Sequence, residues 1–250
     1  QMCIRDRERE ELTGALETIA NFAVENLMYI AIAIGAVLTI ALIVSGIKFY
    51  QESKQKEMWN MLAEPYEKYR NLVLTGREKE GEDQYTPEYL KKKFGELAFE
   101  FERIGNKSPR SDAGRKALFF AADAAMRAGD FDKSEKILRT LLSSTKDPDE
   151  IEIVRFKYAQ MLEARGDYTA AAAQFEQVAS NRSSPLRELA LFNAASCYQE
   201  LGNYAHAAEI YETIINDYPD SAMKKDVADR LVYVRSKLKS EWQSSKKESK

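Results

Sequence analysis

The chain has 250 residues, of which 44% are hydrophobic and 31% charged, with 11 glycines and 6 prolines. This length allows one domain of ordinary size beside a membrane segment, and the scarcity of Gly and Pro, with no long alternating run, predicts an all-α protein. A net charge of −3 excludes a bulk nucleic-acid binder, and two distant cysteines, Cys3 and Cys197, exclude a disulfide framework.

Residues 1–26 read as an N-terminal segment. Residues 1–7, QMCIRDR, resemble the translation of a sequencing adaptor, so Cys3, Arg5 and Arg7 carry no weight for topology. From Glu10 to Asn26, Leu12, Leu16, Ile19 and Ala23 share one helical stripe. It suits either a membrane interface or an extension of the helix that follows. Residues 27–47, LMYIAIAIGAVLTIALIVSGI, are 21 residues without a charge. At about 1.5 Å per residue they span roughly the 30 Å of a bilayer core. The run is too long, and starts too late, for a secretory signal, and no small-residue cleavage pattern follows it. An uncleaved transmembrane helix is expected. Tyr29 and the Phe49-Tyr50 pair flank it at depths where aromatic rings are favoured. Ala31 and Gly35 share a helix face and would admit a second helix closely. The flanking cations (Arg7 and Arg9 before; Lys48, Lys54 and Lys56 after) nearly balance and set no orientation.

Residues 48–110 read as juxtamembrane helices and a degenerate hairpin. Residues 55–74 carry Trp59, Leu62, Tyr66 and Tyr69 on one face, and the polar run GREKEGEDQY (76–85) reads as a loop. Thr86-Pro87 has the form of an N-cap followed by proline at the first helical position. Leu90, Phe94, Leu97 and Phe101 then make the apolar stripe of the next helix.

Residues 111–221 repeat. The segments 116–142, 153–179 and 189–215 align on Gly129, Gly166 and Gly202, spaced 37 and 36, a period that signals stacked helical hairpins. Each glycine can close a first helix in the left-handed conformation. A polar residue follows (Asp130, Asp167, Asn203), then an aromatic one (Phe131, Tyr168, Tyr204). Ala122, Ala159 and Ala195 in the first helices, and Ser134, Ala171 and Ala207 in the second, permit close crossing. Leu138, Phe175 and Tyr211 fill the space between hairpins, and Pro219 stops the last one. These positions resemble the tetratricopeptide repeat, which implies an α-solenoid. Leu118, Arg155 and Leu191 stand where that family places tryptophan. Residues 222–239, with Val227, Leu231, Val234 and Leu238 at helical spacing, read as a capping helix. Residues 240–250 read as a disordered, weakly basic tail.

No catalytic constellation is visible. The chain has no phosphate loop, nucleophile elbow or zinc-protease motif, and its single histidine, His206, lacks companions for a metal site. The expectation is a non-enzyme with no metal and no cofactor. Cys197 reads as a packed, inert thiol.

The resemblance to tetratricopeptide repeats implies that Phe119, Phe156 and Phe192, one per first helix, face a concave groove. Their neighbours there would be Asp123, Gln160 and Ser196, then Met126, Glu163 and Gln199. Two readings are open: an aromatic ladder for an extended or helical peptide, or rings packed against the next hairpin.

The whole layout resembles the ancillary SecYEG translocon subunit family. The local carriers are Phe22-Ala23-Val24-Glu25-Asn26 before the apolar run, and Lys48-Phe49-Tyr50 and Tyr66 after it. That resemblance implies a single-pass bacterial inner-membrane protein with periplasmic repeats. Its implied partners are the translocon, chaperones or exported clients, besides the bilayer, with no nucleic acid. The last repeat, GNYAHAAEIYETIINDYPDS, resembles Tol-Pal-associated coordinators and outer-membrane assembly subunits instead, which implies an envelope-assembly or division scaffold.

Overall fold

The computed structural model describes residues 13, 14, 16–18, 21, 22, 24–78 and 85–248, with side chains undescribed at 76–78 and 245–248. The adaptor-like stretch 1–7, Leu12, Ile19 and Ala23 of the early stripe, and 79–84 of the polar loop lie outside these residues. The chain divides into two compact units, Gln1–Glu57 and Met58–Lys250.

The first unit carries the uncharged run, which opens helix α1, Leu27–Glu78. Among the described residues this helix alone is long and apolar enough to cross a membrane, by length and composition. Its apolar side chains face outward, Leu42 being 73% exposed. Thr39 donates its hydroxyl to the Gly35 carbonyl at 2.7 Å, so a group that lipid cannot satisfy is satisfied within the helix. The expected break between an anchor and a separate helix at 55 is absent. Residues 48–54, KFYQESK, contain neither glycine nor proline, and nothing in them stops a helix.

The second unit begins on the same element. Its buried stripe is Met58, Leu62, Pro65 and Tyr69, whereas Trp59 and Tyr66 are exposed. The face expected from the aromatic residues is thus rotated by about one position. Burial follows the spacing i, i+4, i+7, i+11, and Pro65, despite its missing N–H, adds its ring to that stripe. Tyr66 still meets Phe120, with centroids 5.0 Å apart.

Helix α2, Pro87–Gly105, starts as expected: the Thr86 side chain accepts from the Tyr89 amide at 3.2 Å, with proline in the first turn. It buries Phe94, Leu97, Phe101 and Ile104 against α3, Asp112–Arg127. At their junction the chain comes very close to itself. A Cβ on Gly114 would sit 1.9 Å from the Ser108 carbonyl oxygen, so only a bare backbone fits.

Three hairpins follow: α3 with α4 (Phe131–Ser144), α5 (Pro148–Arg165) with α6 (Tyr168–Ala179), and α7 (Arg187–Glu200) with α8 (Tyr204–Asp217). Each helix packs on the next in sequence, as in a solenoid of helical repeats. Gly129, Gly166 and Gly202 have φ of 79°, 91° and 73°. At each, the amide after the glycine donates five residues back, Asp130 to Ala125, Asp167 to Leu162 and Asn203 to Tyr198, at 2.8–2.9 Å. This closes the first helix with a Schellman motif. Asp130 and Asn203 then cap the second helix through Lys133 N and His206 N. Asp167 does not, because Arg165 holds its carboxylate at 2.5 and 3.0 Å.

Ala122, Ala159, Ala195, Ser134, Ala171, Ala207, Leu138, Phe175 and Tyr211 are all fully buried. Ser134 donates to the Ala122 carbonyl at 2.8 Å, so its hydroxyl is paired at the helix crossing. Arg155, in the tryptophan place, reaches across to Gln174 and Gln177 of α6. Two clasps that the sequence reading did not find tie a first helix to the turn that precedes the next: Ser184 donates to Glu152, and Ser221 to Glu188. Helix α9, Lys224–Glu248, covers α8 with Val227, Leu231 and Val234. It continues past 239, where a disordered tail was expected. Residues 240–248 hold no glycine or proline, so local propensity carries the helix on.

Candidate functional site

The first helices α3, α5 and α7 stand in one register, with α3 touching α5. Phe119, Phe156 and Phe192 fall at equivalent places on them. Phe156 is buried, 8% exposed, and the other two are half-buried. Phe156 meets Phe175 edge-on at 5.3 Å, and Phe192 meets Tyr211 at 6.1 Å, each on the second helix of its own hairpin. In the first hairpin that place is Leu138, and Phe119 meets Phe120 at 6.0 Å instead. The rings therefore pack inward on the hairpins, and two of them present a partly open edge.

Cations from the next helix in the face cover two rings. Lys157 Nζ lies 5.9 Å from the Phe119 centroid, and the Arg230 guanidinium 4.8 Å from that of Phe192. Lys157 and Arg230 occupy the same repeat position, with Phe120 and Asn193 as its other members. This position escaped the sequence reading, although the 36–37 spacing from one ladder ring to the next marks it equally. Ile153 and Leu189, three residues before their ladder rings, escaped it too. They are 50% and 37% exposed and supply apolar surface beside the ladder.

Asp123 lies inside the fold, away from the open edge. Its carboxylate accepts from Lys157 Nζ at 2.6 Å, Arg127 Nε at 2.6 Å and the Tyr69 hydroxyl, with its side chain 3% exposed. Burial works against its charge, but Lys157 and Arg127 win and hold the carboxyl below its ordinary range. The same burial, with Asp123 beside it, raises the Tyr69 phenol. Helices α1, α3 and α5 are thereby joined by one polar hub.

Ser196, the equivalent of Asp123 in the last repeat, donates to the Phe192 carbonyl at 3.0 Å and receives Arg230 at 3.3 Å. Met126 is half-buried on the core. Gln160 and Glu163 are half-buried and make no hydrogen bond, and the Gln199 Oε1 atom is buried without a partner. Burial lifts the Glu163 carboxyl above its ordinary range, with Arg230 opposing and Glu200 reinforcing. Cys197 is fully buried next to these groups. Burial first, then Glu163 and Glu200, push its thiol up to about 12, which makes it inert.

His206 lies apart from this face. It bridges Glu176 and Glu209 at 3.2 Å each and sits edge-on to Tyr198 at 4.4 Å. A cavity of about 460 Å³ opens between α1 and α2, lined by Lys68, Asn71, Tyr85, Tyr89, Lys93 and Glu100 among others. Among the described residues no group of three or more His, Cys, Asp or Glu side chains could hold a metal ion.

A family model described as a tetratricopeptide repeat-like domain matches residues 25–188 of this chain. A second, described as a tetratricopeptide repeat, matches residues 189–221. No curated protein matches the chain.

Proposed function

We propose, from the premise that this chain belongs to the tetratricopeptide repeat-like domain family, that it is a non-catalytic, membrane-tethered scaffold. It would hold a protein or peptide segment on the face of its first helices. Repeats of this kind act as protein-binding scaffolds. The observation that carries the reading is the pairing of apolar side chains, Ile153 and Leu189, with unpaired polar ones, Gln160, Glu163 and Gln199, on helices of one register. Such a surface can take an extended chain by apolar anchors and main-chain hydrogen bonds. A photoreactive side chain at Ile153 should crosslink client proteins in native membranes, and one at exposed Arg182, in the turn after α6, should not. Equal labelling from both positions would reject the face as the binding surface.

At finer grain, the reading is an accessory role in protein export, beside a translocon in the bacterial inner membrane, with the repeats in the periplasm. It is supported by the layout of one apolar helix followed by repeats, and by Phe22-Ala23-Val24-Glu25-Asn26 ahead of that helix. Copurification of translocon subunits in gentle detergent tests it. Protease in intact spheroplasts should digest the repeats, and protection would place them in the cytoplasm. A second reading, an envelope-assembly or division scaffold, is supported by the last repeat, GNYAHAAEIYETIINDYPDS. Enrichment of outer-membrane or septal proteins without translocon would favour it.

A further inference from the structure

The polar side chains of the first-helix face divide by whether the fold already uses them. At either end the cations are spent internally. Lys157 is held by Asp123, and Arg230 by Asp226, Ser196 and the Phe192 ring. Between them, at one repeat position on α5 and α7, stand two acceptors with nothing to accept. Glu163 is half-buried and makes neither hydrogen bond nor ion pair, and Gln199 Oε1 is buried without a donor. An acceptor removed from water without a partner is costly, more so when it is charged. The groups facing Glu163 do not relieve it. Cys197 is a neutral buried thiol, Glu200 adds negative charge, and Arg230 acts on it only at a distance. Gln160, one turn before Glu163, and Asn193, two turns before Gln199, are also unbonded. No cation bonds to the spot, and the one charge that opposes Glu200 there, Arg230, is committed elsewhere.

Apolar anchors lie on the same two helices. Phe192, the partly open ring, is seven residues before Gln199, and Ile153 and Leu189 are ten before Glu163 and Gln199. At about 1.5 Å per residue these offsets are roughly 10 and 15 Å. An extended chain covers that distance in about three to five residues.

We propose that Glu163 and Gln199 form a donor-reading spot, and that the segment held on this face carries a lysine or arginine about three to five residues from its apolar anchors. The inference rests on the reading of this face as the binding surface. Its basis is charge complementarity: a cation seated there pairs the free carboxylate, and a turn of the Gln199 side chain brings its amide oxygen, buried in the unbound fold, to the remaining N–H groups.

The test uses the full chain in lipid nanodiscs and two labelled peptides of one sequence. Each has a Leu-Phe anchor followed four residues later by arginine in one peptide and by citrulline, its neutral isostere, in the other. Fluorescence anisotropy should show the arginine peptide bound about tenfold more tightly, as a charged hydrogen bond of this kind implies. Glu163→Gln should erase that preference and leave the citrulline peptide's affinity in place. Its Tm should be no lower than the parent's, since an unpaired half-buried charge is removed. Equal binding of both peptides, or an arginine preference that survives Glu163→Gln, overturns the inference. If Ile153→Asp with Leu189→Asp then weakens both peptides alike, the face stands as the binding surface and only the charge reading falls. If neither peptide binds and that double substitution leaves client crosslinking unchanged, both fall together.

Discussion

Single residues carry more of this protein's internal charge balance than their surface-like types suggest. Asp123 is surrounded by Lys157, Arg127 and Tyr69. Asp123→Ala should lower stability by about 2–4 kcal/mol, because it leaves the half-buried Lys157 without its counter-charge and the buried Tyr69 hydroxyl without its acceptor. A shift of the urea midpoint at unchanged m-value checks this. Glu135 holds a comparable place between hairpins, bonded by Arg165, Arg139 and the Tyr158 hydroxyl, and the two arginines hold its carboxyl at about 2. Its folded value lies below the unfolded one. Its stabilising contribution is therefore present above the ordinary carboxylate range and is lost as pH falls from there towards 2. Glu135→Gln should flatten the decline of Tm in that acid window and leave the decline above it unchanged. His206 has the opposite sign. Burial lowers its value, but the Glu209 and Glu176 contacts outweigh burial and raise it. Its contribution is full below the imidazole's ordinary value and fades as pH rises through the raised one. The spacing marked Asp123 and Glu163 as equally plausible groove residues. It did not separate the bonded one from the free one, because partners such as Tyr69 and Lys157 come from other helices. For the same reason the readings of the phenylalanines as ladder or as packing could not be told apart before Phe175 and Tyr211 were seen beside them.

At the level of elements, the sequence was most legible where local rules act alone. The turn glycines, the cap at Thr86 and the small crossing positions depend on neighbours in the chain, and all appear as expected. Long-range features were hidden. Pro65 in the buried stripe of α1, the Ser184 and Ser221 clasps, and the close passage at Gly114 each depend on a second segment. Gly114 shows the cost of that hidden requirement. Gly114→Ala drives a Cβ into the Ser108 carbonyl, so the α2–α3 junction must shift. The expected loss is about 1–3 kcal/mol, as for other overpacked sites, even though alanine is the better helix former. Thermal melts followed by circular dichroism would register it, whereas Gly95→Ala, whose added Cβ meets only Ala128 Cβ at 3.9 Å, should be neutral or better. At Phe175, fully buried between hairpins, truncation to Ala should cost about 3–5 kcal/mol.

For the molecule as a whole, stability is shared between neighbours along the stack. Helix α9 seals the last hairpin with Val227 and Val234, both fully buried. Truncation after Asp220 should therefore raise amide exchange in α7 and α8 well above that in α3 and α4. Uniform exchange throughout the stack would contradict such nearest-neighbour behaviour. The solenoid and the apolar helix were legible because a repeated period and a long uncharged run are global properties of the sequence. Orientation was not, because the flanking cations nearly cancel.

The shared position of Lys157, Asn193 and Arg230 bears on how such an array can grow. Lys157 pairs with Asp123 one repeat back, but the equivalent residue in its own repeat is Gln160. A tandem duplication of α5 and α6 would set the copied lysine against that glutamine, with its ammonium stranded. Gain of a unit by unequal recombination thus carries an electrostatic penalty from the outset. The Lys157–Asp123 pair thus makes the order of these two hairpins matter electrostatically.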